Sequence, residues 1–257
     1  EADMSSDAAR ATAREAVSKS LVLLKNNARS PLPLKRNAKI LLVGKGADNV
    51  TAQLGGWSLT WQGDETDDND YPLADDMLSA LQKAVGDGGK VDFSADAIGV
   101  DVKGYDAVVV VHSERPYAEM KGDISYPASL RHSERYPDDY AALERVSGRG
   151  VPVVSVLFSG RPVYANDLIN MSDGFIAAWL PGTEGQGITD ILFRGANGRM
   201  AKDFQGRLPF DWPGASCPEN AKKPVLFARG YGLKLAKKSN LGRLPEDGVE
   251  TCPPLAE

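Results

Sequence analysis

The chain has only two histidines and two cysteines in 257 residues, and that scarcity narrows its possible chemistry at the outset. No Cys/His cluster has metal-ligand spacing, so the sequence predicts no metal site. Ser159-Gly160-Arg161-Pro162 follows an apolar run but lacks the five-residue nucleophile-elbow pattern. With His112 and His132 alone available, a Ser-His-Asp hydrolase is not supported. The Gly44-Lys45-Gly46 turn has no third glycine and no acidic residue at dinucleotide-binding distance, and no Walker A lysine motif occurs. No cofactor is therefore expected. A basic block is also missing: 30 Lys and Arg against 35 Asp and Glu leave a formal charge of -5. Nucleic acid needs clustered cations to neutralise phosphates, so it is not an expected partner. The longest apolar runs, Ala107 to Val111 and Val151 to Phe158, are strand-length, which excludes a spanning helix and any expectation of a membrane partner.

What the sequence does contain is alternation. Ser5, Ser6 and Asp7 are N-cap residues for a helix to about Ser20, with Ala13, Ala16, Val17, Ser20, Leu21 and Leu24 on one buried stripe. Leu21 to Leu24 can belong to that helix or to an extended segment. Lys39 to Val43, Lys90 to Ser94, Ala107 to Val111, Val151 to Phe158 and Phe175 to Trp179 read as strands. Between and after them, Asp75 to Val85, Asp138 to Val146, Val163 to Ile169 and Gly185 to Phe193 read as helices. Strands that are apolar throughout, separated by helices, predict an α/β sandwich: a mostly parallel sheet of about six strands with helices on both faces. One domain over residues 1–235 and a polar tail or linker over 236–257 are expected. Cys217 and Cys252 both fall in the Pro-rich C-terminal quarter, as a bridge closing that segment or as two separate thiols.

Ligands in such sheets bind beyond the carboxyl ends of strands, which directs attention to the loops after Val43, Val111, Phe158 and Trp179. Past Val43 comes Gly55-Gly56-Trp57-Ser58-Leu59-Thr60-Trp61-Gln62-Gly63. Two tryptophans four apart among glycines and polar residues do not resemble a core strand; they either stack on sugar rings or pack under the loop. Past Val111 comes His112-Ser113-Glu114-Arg115-Pro116-Tyr117-Ala118-Glu119-Met120-Lys121-Gly122-Asp123, a dense ionisable cluster. A glutamate there is either a general acid, if its pKa is raised, or part of a solvated loop.

These segments, with Ala13-Arg14-Glu15-Ala16-Val17, Ser20 to Asn26, Pro31-Leu32-Pro33-Leu34, Ser159-Gly160-Arg161-Pro162, Trp179 to Gly185 and Gly206 to Phe210, occur in the order seen in one family. Together they resemble the C-terminal domain of family 3 glycoside hydrolases, in its exo-β-glucosidase and exo-1,3/1,4-β-glucanase branch. The resemblance spans about residues 10 to 235, and the tryptophan segment is its most specific part. It implies that Glu119 is the general acid/base and that Trp57 and Trp61 are aromatics at the sugar-binding mouth. Glu114 is the alternative acid on the same loop, and Glu114 and Tyr117 join the substrate-binding set. Ser113 stands where the family often has glycine.

The implied mechanism is retaining, with a nucleophilic aspartate on a preceding (β/α)8 barrel that these residues do not contain. The expected partners are β-glucan oligosaccharides or β-glucosides and that barrel, in cis or in trans, and the isolated chain is expected to be inactive. A periplasmic or secreted setting follows from the same resemblance. The rival readings are a non-catalytic carbohydrate-binding module and a structural sandwich domain. The sequons at Asn49 and Asn170 matter only on a eukaryotic secretory route.

Overall fold

A computed structural model describes residues 6–125, 128–217 and 224–246. Ser6 caps the first helix, α1 (Asp7–Ser20), by accepting from the Ala9 amide at 3.3 Å. The chain turns extended at Leu21 and enters β1 (Val22–Asn26), so the apolar run left open by the sequence is a strand. Then follow β2 (Lys39–Val43), α2 (Met77–Ala84), β3 (Lys90–Ser94), β4 (Ala107–Ser113), a single helical turn α3 (His132–Arg135) and α4 (Pro137–Val146). β5 (Val153–Phe158), α5 (Asn166–Met171), β6 (Gly174–Trp179), α6 (Gln186–Leu192) and a small pair, β7 (Trp212–Pro213) with β8 (Val225–Phe227), complete the order.

Six strands form one sheet in the order β1-β6-β5-β4-β2-β3, parallel except for β1, which runs antiparallel to β6 with a bulge between Leu23 and Lys25. The mostly parallel α/β sandwich expected from the sequence is therefore what forms. Alternation within each strand divides the apolar residues between two cores. Leu42, Val109, Val111, Val156 and Phe158 join Val17 of α1, Met77 and Leu81 of α2, and Ile188 and Leu192 of α6. Leu41, Val43, Val108, Val110 and Leu157 join Ala142 and Leu143 of α4 and Leu168 and Ile169 of α5. Each such Val, Leu, Ile, Met or Phe side chain stabilises by roughly 1.5–3 kcal/mol on burial, and a strand covered on both faces buries them on either side.

The short helix expected over Val163–Ile169 begins three residues later. Tyr164 is held extended, its amide donating to Leu130 O at 3.0 Å and its carbonyl accepting from the His132 amide at 3.0 Å, so helical geometry starts only beyond it. Residues 233–239 lie along the free edge of β1. The Leu233 amide donates to Leu23 O at 2.9 Å, the Ser239 amide to Asn26 O at 2.7 Å, and the Asn26 amide to Ser239 Oγ at 2.9 Å. Asn170 clasps Leu244 from both sides, accepting its amide at 2.8 Å and donating to its carbonyl at 2.9 Å. Cys252 lies outside the described residues, and with it the question of a bridge to Cys217.

In this strand order the chain moves outward to β3 and then returns past β2 to place β4, so the winding reverses between β2 and β4. The carboxyl ends of that pair are the switch point where open α/β sheets form a crevice.

Candidate active site at the strand ends

Two loops build the site, one leaving β2 and one leaving β4. The first begins at Gly44, whose φ of +113° and position against Val111 exclude a side chain: a Cβ would stand 2.2 Å from Val111 O. Gly46 then leaves room for the Ser113 hydroxyl, which a Cβ there would meet at 2.4 Å. The glycines of this turn thus serve close packing against β4, and Ser113 is accommodated by the glycine opposite it.

The tryptophan segment and the glutamate loop are stitched together by Gln62. Its Oε1 accepts the Ala118 amide at 2.8 Å and its Nε2 donates to the Glu119 carbonyl at 2.9 Å. The Gly56 amide donates to Tyr117 O at 3.1 Å, and Lys121 pairs with Asp64 at 2.9 Å. At the apex Trp61 Nε1 donates to Glu119 Oε2 at 2.7 Å. The Trp57 and Trp61 rings lie 6.4 Å apart, tilted by 42°, and Trp57 is 71% exposed. Trp57, Leu59 and Met120 all have φ between +61° and +73°. Left-handed backbone at bulky residues costs of order 1–3 kcal/mol each, and such strain clusters where a surface is built for binding or catalysis. Of the two sequence readings of the tryptophans, packing under the loop does not occur.

Glu119 is fully exposed, and the indole hydrogen bond from Trp61 holds its carboxyl below the usual carboxylate range, because it favours the ionised form. Glu114, on the same loop, sits differently: it is 3% exposed. Arg135 Nη1 donates to its Oε1 at 2.5 Å, Tyr117 Oη donates to its Oε2 at 3.2 Å, and Arg161 Nε stands 3.5 Å away. Arg161 also donates to Tyr117 Oη at 2.6 Å and to Gly122 O at 2.6 Å, with its guanidinium 3.8 Å from the Tyr117 ring centroid. Burial, reinforced by the Glu114 charge, pushes the Tyr117 hydroxyl well above its ordinary value, so it stays a neutral donor. The structure therefore brings Glu119, Trp57 and Trp61 together at the surface and places Glu114 and the Tyr117 hydroxyl beneath them. Gln62 and Arg135 escaped sequence reasoning. Gln62 had only its place beside Trp61 to mark it, and Arg135 comes from a separate helical turn.

The surface group opens on a shallow depression of about 420 Å³ between Trp57, Glu119, Asp123 and Arg161. A larger polar cleft of about 500 Å³ lies at the switch point, bounded by Lys45, Arg115, Arg135 and Asp138, and Glu119 does not line it. Volume alone favours that cleft, but the exposed Glu119 carboxylate and the Trp57 ring, itself on left-handed backbone, line the depression. His112 and His132 come together with Asp139 behind the cleft, a grouping that no local spacing announces. Among the described residues no helix is long and apolar enough to cross a membrane.

Comparison with known proteins gives a consistent picture. Residues 21–235 match the family described as the glycosyl hydrolase family 3 C-terminal domain. A lysosomal beta glucosidase of Dictyostelium discoideum is 32% identical over 256 residues, covering 88% of this chain and 29% of its own length. A periplasmic beta-glucosidase of Salmonella typhimurium is 28% identical, covering 86% of this chain and 32% of its own. The crystal structure of an exo-1,3/1,4-beta-glucanase from a Pseudoalteromonas species superposes with a TM-score of 0.85 at 41% identity, over 94% of this chain and 30% of that one. This chain thus spans about a third of the length of the proteins it matches.

Proposed function

The chain belongs to the glycosyl hydrolase family 3 C-terminal domain family, and from that premise we propose that it supplies the acid/base half of a retaining, exo-acting β-glucosidase or β-glucan glucohydrolase. The observation that carries the reading is the Glu119 carboxylate, exposed at a loop apex and gripped by Trp61 beside the open face of Trp57. In this reading Glu119 protonates the glycosidic oxygen as the leaving sugar departs, then takes a proton from the water that releases the glycosyl-enzyme. Trp57 and Trp61 clamp the sugar rings by stacking on their C–H faces. Glu114, Arg135, Arg161 and Tyr117 hold the loop that aims Glu119.

A general acid at neutral pH needs a raised pKa, and in the domain alone the Glu119 carboxyl is lowered. The missing influence is the one the mechanism assigns to a (β/α)8 barrel. Docking over the depression would remove water from Glu119, and a nucleophilic aspartate roughly 5 Å across the scissile bond would add a like charge; both raise the pKa. The β-glucoside and β-glucan substrates of this reading are those named for the relatives. Their lysosomal and periplasmic settings support a working place outside the cytoplasm.

The test is reconstitution. The chain alone should not turn over an aryl β-glucoside, whereas co-expression with a relative's barrel domain should give activity that Glu119→Gln removes and that added azide partly restores through an external nucleophile. Turnover by the isolated chain that survives Glu119→Gln overturns the assignment. Oligosaccharide binding with no activity in any pairing would favour a binding module instead.

A further inference from the structure

The backbone that carries Glu119 is held in a strained shape, and a side chain from outside its loop helps to hold it there. Glu119, Met120 and Lys121 form a three-residue turn, closed by the Lys121 amide donating to Glu119 O at 3.0 Å, with Met120 at a φ of +73°. Turns of this kind with positive φ are rare and strained, and such backbone persists only where its surroundings fix it. The bond from the Gly122 amide to Ala118 O at 2.8 Å lies within the same loop. Gln62 comes from elsewhere. Its Oε1 accepts the Ala118 amide at 2.8 Å and its Nε2 donates to Glu119 O at 2.9 Å, so it grips the chain on both sides of the Glu119 amide. A peptide N–H can only donate and a carbonyl can only accept, so these partners allow the Gln62 amide one orientation. Gln62 is 8% exposed and has little water to take in exchange for them.

The neighbours of Gln62 hold the carboxylate itself. Trp61 donates its indole N–H to Glu119 Oε2 at 2.7 Å, and the Trp57 amide donates to Trp61 O at 2.9 Å. Trp57, Trp61 and Gln62 are thereby tied into one body that touches Glu119 at its carboxylate and at its backbone. A carboxylate gripped only by the indole would be free to swing with its loop. Gripped at both ends, it keeps a fixed place relative to the two rings. We propose that Gln62 is a positioning residue for proton transfer: it sets Glu119 in register with the tryptophan rings, so that a sugar seated on them meets the carboxyl at its glycosidic oxygen. The proposal rests on the reading of Glu119 as the acid/base. Gln62 is buried and acts through the Glu119 backbone, not on the sugar. A catalytic group displaced by about 1 Å can lose about 100-fold in rate, and here the loss falls on substrates whose leaving group needs the proton.

The test uses two substrates in the reconstituted enzyme: a phenyl β-glucoside, whose leaving oxygen needs a proton, and a dinitrophenyl β-glucoside, whose phenolate departs unaided. Gln62→Ala should lower kcat/KM by about 10- to 100-fold on the first and by less than about 3-fold on the second. Equal losses on both would mean that Gln62 only keeps the domain folded, and would overturn the proposal. If Glu119→Gln itself lowers both equally, the acid/base reading fails and this proposal with it. Gln62→Glu keeps the shape and the bond from the Ala118 amide but turns an ionised oxygen toward Glu119 O. It should show the same contrast between substrates, lessening as the pH falls and the introduced carboxyl gains a proton to donate; it also serves if Gln62→Ala does not fold. On the chain alone, without barrel or activity, the Trp61 indole proton resonance should move as Glu119 titrates, and that movement should shrink in Gln62→Ala. An indole that still follows Glu119 undiminished in that variant would show the carboxylate held in place without Gln62, and would overturn the proposal.

Discussion

Glu114→Ala should be among the most damaging substitutions on the surface loops, although the residue makes no contact with solvent chemistry. Its carboxylate takes hydrogen bonds from Arg135 at 2.5 Å and Tyr117 at 3.2 Å and balances Arg161 at 3.5 Å, with its own side chain only 2% exposed. Truncation takes from Arg161, whose side chain is 7% exposed, the carboxylate that faces it and leaves a void there. Removing one partner of a buried pair costs about 3–5 kcal/mol. Arg135, with a fifth of its side chain exposed, recovers water when released, so we place the loss at the lower end, about 3 kcal/mol. For a domain of this size that lowers Tm by about 6–12 °C. Glu114→Gln keeps the shape and one acceptor and should lose about 1–2 kcal/mol. Urea unfolding followed by far-ultraviolet circular dichroism gives the free energies, with an unchanged slope showing that the unfolded state is comparable. A cycle with Tyr117→Phe should show coupling, since both side chains share Arg161. A Glu114→Ala loss below about 1 kcal/mol, the value of an exposed ion pair, would refute the buried-network account.

Three further outcomes follow from the site. Trp61→Phe removes the indole donor that favours the ionised Glu119, so the Glu119 carboxyl resonance should titrate at higher pH than in the wild type; an unchanged midpoint would remove the indole as its cause. Gly44→Ala must place a Cβ against Val111 O at a positive φ, and should destabilise by about 2–4 kcal/mol in the same urea assay. Trp57→Ala, at a ring 71% exposed, should change stability by less than about 0.5 kcal/mol. In the reconstituted enzyme it should weaken oligosaccharide binding by about 3- to 10-fold, the loss of one stacking contact.

The sheet was legible in the sequence because parallel strands covered on both faces are apolar at nearly every position, as Ala107–Val111 and, apart from Ser155, Val151–Phe158 are. Leu21–Leu24 resisted reading for a physical reason. The last apolar positions of α1 run directly into β1, with Leu21 as the hinge, and no glycine or proline marks the change of period. The pair formed by Trp212–Pro213 and Val225–Phe227 is too short to leave a periodic signal. At the site, Glu119 and the two tryptophans were named through family resemblance, whereas the charged loop alone was ambiguous. What separates Glu114 from Glu119 is depth, and depth depends on Arg135 arriving from α3 and Arg161 from the loop after β5, which no local pattern encodes. The same holds for His112, His132 and Asp139, brought together only when α3 and α4 fold back over β4.

The segment lying along β1 has a consequence for how this domain is handled by cells and by experimenters. An outermost strand with unpaired amides is a template on which another molecule can add its own strand. Here those positions are occupied by Leu233 and Ser239 of the same chain. A version ended at residue 235 would retain every catalytic group discussed above, yet it would lose Ser239 and bare the Asn26 end of that strand. Its failure would be aggregation during expression, and the remedy would be the apparently dispensable segment of residues 236–246.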